Sequence, residues 1–145
     1  MLHPDHSSID LLVKALYASI SGPAGERDWA RLRSLFYPNA RLAPTKFEND
    51  VAALRFLDIE QFITQAGAHF REHGFYESEV GRRVDSFGHL AHIFSRYESR
   101  RTPDGEPFAR GLNSIQLFTD GVRWSIISLM WDEEQPSSAM GTTDG

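Results

Sequence analysis

The sequence predicts an α+β domain in which three N-terminal helices pack on a curved antiparallel or mixed β-sheet. Two observations predict this class. Apolar residues recur at helical spacing in the first half of the chain, and the period changes towards two from about Phe75 onward. Helices at one end of a chain and consecutive strands at the other are typical of folds whose helices cover one face of a sheet.

The first two helices are predicted from apolar spacing and from their start and stop signals. Ser7 with Asp10 three residues later resembles a capping pair, and the Gly-Pro pair at 22–23 ends the first helix. Asp28 is the expected N-cap of a second, shorter helix that ends at Pro38.

A short strand and a third helix are predicted next. The segment 40–47 alternates loosely, and Pro44 confines such a strand to an edge position or a bulge, since proline cannot donate to a ladder. The preceding Pro-Asn pair indicates a turn. Asp58 followed three positions later by Gln61 is a capping-box pattern, and the apolar face behind it continues to Gly74.

The second half is predicted to contain four extended segments, at about 75–87, 89–101, 108–119 and 122–132. The connections contain glycine, twice within an Asp-Gly pair, which suits hairpin turns. Both faces of the last segment are largely apolar, so one face can pack under the helices and the other needs a cover. We therefore expect a two-fold homodimer.

Composition limits the classes of function. A chain of 145 residues is the length of one domain, expected over 1–133, with a flexible tail at 134–145 that is rich in Pro, Ser, Gly and Thr. Fifteen Lys plus Arg against 20 Asp plus Glu leave a net charge of −5, which disfavours nucleic-acid binding. The absence of cysteine excludes thiolate metal sites and cysteine nucleophiles. With no signal-like N-terminus and no membrane-length apolar run, we expect a cytoplasmic protein without a membrane partner.

The sequence contains no known local motif that indicates a particular reaction. No glycine-rich phosphate loop, nucleophile elbow or dinucleotide fingerprint occurs, so we expect no cofactor. His69 and His73 share a helical face, but Arg71 lies between them and the glutamate of a zincin motif is missing, so no metal site is expected. Arginines and glutamates on neighbouring strands are interpreted as cross-strand ion pairs. They are Arg82, Arg83, Arg96, Arg100 and Arg101, with Glu77, Glu79 and Glu98.

With these elements in order, the chain resembles the nuclear transport factor 2-like (NTF2-like) superfamily, also called SnoaL-like or cystatin-like. The resemblance covers about residues 8–133 and depends on the order of elements and on three local patterns. These run from Asp28 to Ala40, from Arg110 to Phe118 and from Asp120 to Trp131. The resemblance implies a cone with a pocket at its wide end and usually a homodimer through the sheet.

The same resemblance leaves the activity open, because the superfamily includes isomerases, cyclases, dehydratases and non-catalytic binding proteins. In ketosteroid isomerase a carboxylate base works with a tyrosine and a protonated aspartate. Tyr17 falls at the place of that tyrosine. The base would fall near Pro44 and the aspartate near Ser114, so this catalytic set is not retained.

Two functions therefore stay open: a non-catalytic protein that binds a small apolar organic molecule, or an acid–base enzyme of isomerase, dehydratase or cyclase type acting on one. For the enzyme we expect Tyr17 to act with one of His92, Ser114 or Asp132. Polar side chains in an apolar strand need a hydrogen-bond partner, which can be a ligand, water or another polar side chain. We therefore expect Arg110, Ser114 and Gln116 either to line the pocket or to form a polar ladder in the dimer interface. The expected ligand-binding residues of an apolar, aromatic-lined pocket are Trp29, Phe36, Phe70, Phe94, Arg110, Gln116 and Trp131.

Overall fold

The computed structural model describes residues 2–135 and confirms the α+β class. The predicted tail at 134–145 therefore lies, apart from its first two residues, outside the described residues. A 3₁₀ turn at Pro4–His6 precedes the helices α1 (Ile9–Ile20), α2 (Trp29–Ser34) and α3 (Ile59–Glu72). The strands are β1 (Phe36–Glu48), β2 (Val51–Leu54), β3 (Tyr76–Phe87), β4 (Leu90–Arg100), β5 (Ala109–Thr119) and β6 (Trp124–Glu133).

Capping side chains begin each helix, because the first backbone N–H groups of a helix have no partner within it. The cap of α1 is Ser8, one residue later than expected, since the Ser7 hydroxyl instead closes the preceding turn. Asp28 caps α2 as predicted. The Asp58–Gln61 capping box of α3 is complete, with its two hydrogen bonds at 2.8 and 2.9 Å.

The strands form one curved six-stranded sheet in the order β2-β1-β6-β5-β4-β3. The described neighbours pair antiparallel, except that β1 and β6 are parallel. The four predicted segments of the second half correspond to β3 through β6, each within two residues at either end.

The strand β1 differs from its prediction in length and position. It is 13 residues long and lies inside the sheet, where it pairs with β6 as far as Pro44 and with β2 from Thr45. Of the two placements expected from Pro44, an edge position or a bulge, the edge position is wrong, because Pro44 lies where β1 changes partner from β6 to β2. The predicted Pro-Asn turn is an irregularity within β1, with Asn39 at a positive φ of 71°.

The core lies between the three helices and one face of the sheet, here called the inner face. Inner-face positions of β4 and β5 alternate with exposed or half-buried ones, as expected of strands with a single buried side. One end of this face is apolar, with Ile93, Ile115 and Leu117, and the other end carries the buried polar residues Ser95, Ser99 and Asn113. Within the described part of the chain, no helix is long and apolar enough to cross a membrane.

Candidate functional site

A groove with a volume of about 540 Å³ lies between α1 and β3, at the polar end of the inner face. The first wall is a stripe of α1 and its C-cap at helical spacing, comprising Asp10, Val13, Lys14, Tyr17, Ala18 and Ser21. The second wall comprises Tyr76, Glu77, Ser78, Glu79, Arg82, Arg100 and Pro103. Glu77 and Glu79 share the inner face of β3 because side chains alternate along a strand. A register shift after Glu79 brings Arg82 opposite Ser95, on the same face.

Tyr17 enters the groove from α1, but its hydroxyl proton is committed within the protein. The hydroxyl oxygens of Tyr17 and Ser95 are 2.6 Å apart, and Ser95 donates its own proton to Glu79 over 2.6 Å. Because Ser95 has only one proton to give, Tyr17 must donate to Ser95. The Tyr17 oxygen in turn accepts from Nδ2 of Asn113 at 3.0 Å. Burial raises the pKa of Tyr17, which keeps this hydroxyl protonated.

Glu77 is a half-buried acidic residue of the groove. One carboxyl oxygen, Oε2, accepts from Nδ2 of Asn113 at 3.3 Å. Burial raises the pKa of Glu77 to about 7, and hydrogen bonds from Asn113 and Ser99 lower it only in part. Since both partners are uncharged, no cation compensates the burial. This carboxyl therefore exchanges between its acid and carboxylate forms near neutral pH.

Glu79 is two residues away on the same face and has a different environment. The Arg82 guanidinium donates to both of its carboxyl oxygens, with the closest contact at 2.8 Å. Arg82 also reaches Asp10 of α1 at 3.2 Å, so it ties the two walls of the groove together. Neighbouring carboxyls with different partners are a common arrangement in acid–base sites.

The structure separates Tyr17 from the other three predicted catalytic residues. His92 and Ser114 lie on the outer face of the sheet, opposite the helices, where Nε2 of His92 and Oγ of Ser114 are 2.9 Å apart. Asp132 lies near the end of β6 and accepts a hydrogen bond from Thr45 at 2.5 Å. The sheet therefore stands between Tyr17 and the His92–Ser114 pair.

The predicted ligand-binding residues also divide between two regions, and none of the seven is among the residues that line the groove. Trp29 stacks on Phe70 with ring centroids 6.3 Å apart, Phe36 packs against the core, and Trp131 meets Phe62 edge-on. Phe94, Arg110 and Gln116 lie on the outer face. There Arg110 contacts Glu98 at 2.9 Å, and Gln116 accepts from Ser128 at 3.2 Å.

The chemistry-bearing residues that the sequence did not indicate are Glu77, Ser95 and Asn113. Glu77 was grouped with acids expected to form cross-strand ion pairs with arginine. Glu79 pairs with Arg82 of its own strand, whereas Glu98 pairs with Arg100 of its own strand and, across to β5, with Arg110. A strand pattern cannot distinguish Glu77 from Glu79, because both lie on the inner face of β3 and differ in the partner that each carboxyl meets, Asn113 or Arg82.

Among residues 2–135, no group of three or more His, Asp or Glu side chains is arranged to hold a metal ion. The His69 and His73 rings do lie together, with centroids 4.6 Å apart. Nη1 of Arg101 is 3.3 Å from Nε2 of His69, so a cation already stands beside this pair.

Comparison with known proteins identifies the fold. No family model and no curated protein matches the sequence. A Mycobacterium tuberculosis protein of unknown function is 15% identical with a TM-score of 0.69, and the match covers 90% of this chain and 77% of that one. An NTF2-like protein of unknown function from Pseudomonas putida KT2440 is 11% identical with a TM-score of 0.67, over 88% of this chain and 84% of that one.

A third solved structure agrees with these two. An uncharacterised Caulobacter vibrioides protein with a cystatin-like fold is 16% identical with a TM-score of 0.66, and the match covers 90% of each chain. At such identities a structural likeness establishes architecture and leaves activity to the site residues. The chain thus has the NTF2-like, cystatin-like α+β fold that its sequence resembles.

Proposed function

We propose that this protein binds a small organic molecule in the groove between α1 and β3 and exchanges a proton with it through Glu77. The observation that carries the proposal is the Glu77 carboxyl, which lines the groove, has only uncharged hydrogen-bond partners and has a pKa raised to about 7 by burial. General acid–base catalysis is most effective when the pKa of the group lies near the working pH.

The energetic cost of Glu77 supports a functional role. Ionising a carboxyl whose pKa rises from 4.5 to about 7 costs the folded protein roughly 3 kcal/mol at high pH, relative to the unfolded chain. An uncharged side chain of similar size would fill the same space without that cost. Strongly perturbed carboxyls in clefts are accordingly enriched at functional sites.

The groove itself suits a small ligand with an apolar body. Its volume of about 540 Å³ lies within the range usual for small-molecule sites. Val13, Ala18, Tyr76 and Pro103 supply apolar surface. Charged side chains stand around it, so the site is more polar than the aromatic-lined pocket expected from sequence. They are Asp10, Lys14, Arg82 and Arg100.

The proposal is tested with 5-nitrobenzisoxazole, a general probe for a desolvated carboxylate base. A base removes the proton on C3, the C–H electron pair forms the nitrile, the N–O bond breaks, and the oxygen leaves as a coloured nitrophenolate. We expect a rate that rises with pH, is half-maximal near the Glu77 pKa of about 7 and reaches a plateau above it. The rate of Glu77→Gln should be at least ~100-fold lower than that of the wild type.

The matched control is Glu79→Gln, which changes the neighbouring carboxyl on the same face and leaves Glu77 in place. We expect it to retain most of the activity. An unchanged rate in Glu77→Gln overturns the proton-exchange role. A retained small molecule in native mass spectra, together with that result, would assign the protein to non-catalytic binding.

We also propose a homodimer through the outer face of the sheet. Phe94 and Met130 are 38% and 39% exposed there, and half-buried Leu112 lies on the same face. Apolar side chains on an open sheet face favour a partner surface. Sedimentation at micromolar concentration tests this, and a monomeric mass counts against it.

A further inference from the structure

The strand β3 is an edge of the sheet, and most of its open side lacks a partner. At the start of the strand, the Ser21 hydroxyl covers this side, since it donates to the backbone carbonyl of Glu77 and accepts from the Glu77 N–H, at 3.3 and 3.0 Å. Within the part of the chain that the structure describes, nothing bonds to the backbone of residues 79–87 on this side. An edge with free backbone groups can pair with another strand.

The backbone groups of Val84 point towards the open side of β3. The Ser99 carbonyl of β4 accepts from the N–H of Phe108 at 2.8 Å, so Ser99 and every second residue before it in β4 direct their backbone groups to β5. Ile93 is one of these residues, and it is the partner of Val84 in β3. Because Ile93 does not bond back to β3, the N–H and C=O of Val84 face the edge.

Residues 81–87 are complementary to themselves when two copies pair antiparallel with Val84 at the centre. Arg83 of one copy then lies opposite Asp85 of the other, and two-fold symmetry forms this ion pair twice. Both charges lie on one face of the strand, where Nε of Arg83 and Oδ2 of Asp85 are 3.5 Å apart. Gly81 lies opposite Phe87, which is 85% exposed and whose ring can cover the glycine backbone.

The charges also select this register over its neighbours. Moving the two-fold axis by two residues in either direction keeps the backbone phase but sets Arg83 against Gly81 or Asp85 against Phe87. Either move loses both ion pairs. The complementarity therefore favours a second copy of the chain, paired at one register, as the occupant of this edge.

We propose that the open edge of β3 is an interface with a second copy of this chain, in which the two strands pair antiparallel about a two-fold axis at Val84. This inference does not depend on Glu77, and it leaves the outer face around Met130 available. In this pairing, Ser86 of the second copy lies opposite Arg82, which lines the groove, so the second copy adds a residue at that end of the site. Because the paired segment is short, we expect the contact to form at higher concentration than the outer-face dimer.

The test is disulfide cross-linking at a protein concentration of about 0.3 mM, which traps a weak contact. The chain has no cysteine of its own, so an introduced cysteine reports its position alone. In Val84→Cys, the two Cα atoms across the axis are about 5.5 Å apart, which is within disulfide range. We expect oxidation with copper phenanthroline to give a covalent dimer on a denaturing gel.

Val80→Cys is the matched control on the same strand. Val80 is more exposed than Val84, 55% against 40%, so random collisions would cross-link it more readily. In the proposed register, however, the two copies of position 80 lie more than about 20 Å apart. We expect Val80→Cys to stay uncrosslinked at the same concentration. Equal cross-linking of the two variants, or none in Val84→Cys, overturns the proposal.

Charge reversal tests the register itself. In the Val84→Cys protein, Arg83→Asp or Asp85→Arg alone sets like charges opposite each other twice, and the cross-linked fraction should fall at least about fivefold. The double exchange of both residues restores opposite charges and should restore cross-linking, which also shows that the substituted strand still folds. A double exchange that cross-links no better than the single reversals contradicts the register.

Discussion

Asn113 donates a hydrogen bond from Nδ2 to Oε2 of Glu77 over 3.3 Å, which joins β5 to β3 across the intervening strand β4. The same nitrogen donates to the Tyr17 hydroxyl at 3.0 Å. One amide thus orients both the carboxyl of the groove and the tyrosine of α1. Asn113 therefore links the Glu77 carboxyl to the hydrogen-bond network of Tyr17.

Replacing Asn113 by Leu should raise the pKa of Glu77 above its wild-type value. The hydrogen bond from Asn113 stabilises the carboxylate, so its loss favours the protonated form. Titration of ¹³C-labelled glutamate carboxyls by NMR measures this pKa, with the resonance assigned from Glu77→Gln. An unshifted or lower pKa in the variant contradicts the assignment of this bond.

Glu77 should make the folded protein less stable as the pH rises. Its pKa is about 7 when folded and near 4.5 when unfolded, so the folded chain binds more protons between these values. The free energy of unfolding should fall from pH 5 to pH 8 in the wild type. Glu77→Gln removes this contribution and should be more stable than the wild type at pH 8 by up to about 3 kcal/mol. Urea unfolding at both pH values measures the difference, and parallel pH profiles for the two proteins would refute the prediction.

Tyr17→Phe should destabilise the protein by about 1–3 kcal/mol, because it leaves the Asn113 amide without its hydroxyl acceptor and Ser95 without its donor. The control is Tyr37→Phe, since Tyr37 is 47% exposed and its change should stay within about 0.5 kcal/mol. Urea midpoints compare the two variants. Equal effects would show that the Tyr17 network contributes no stability.

Gly111→Ala should destabilise the fold by about 1–3 kcal/mol, because the added Cβ collides with the Tyr97 hydroxyl and with the Asp132 backbone carbonyl. Gly81→Ala is the control, since its Cβ would meet only Cδ of Arg96 at 3.6 Å, an ordinary contact. Thermal unfolding should separate the two alanine variants clearly. A smaller effect for Gly111→Ala than for its control would mean that Tyr97 does not lie as described.

Met130→Glu should dissociate the proposed dimer, because a charge would be buried in an apolar interface without a partner. Val122→Glu is its control, as Val122 is 70% exposed in the connection between β5 and β6. Sedimentation velocity at one concentration compares the masses. If both variants sediment as dimers, the outer face around Met130 is not the interface.

The helix starts and strand phases of this protein are encoded over a few residues each. The Asp58–Gln61 capping box depends on residues three positions apart, and the alternation through β4 to β6 depends on residues two positions apart. Both could therefore be predicted without knowledge of the tertiary structure. The interior position of β1 could not be predicted in this way, because the sequence around Pro44 does not show whether β6 pairs with this strand.

The candidate site depends on contacts between residues far apart in the chain. Asn113 lies 96 residues from Tyr17 and 36 from Glu77. Local patterns placed Tyr17 on the buried face of α1 and Glu77 in a strand, but they could not state which face of β3 meets that helix. Packing made that choice, and it separated Glu77 from the arginine-paired acids by burying it among uncharged partners. The sequence thus determined the side chains and their alternation, whereas the raised pKa of Glu77 arises only when the folded strands bury this carboxyl.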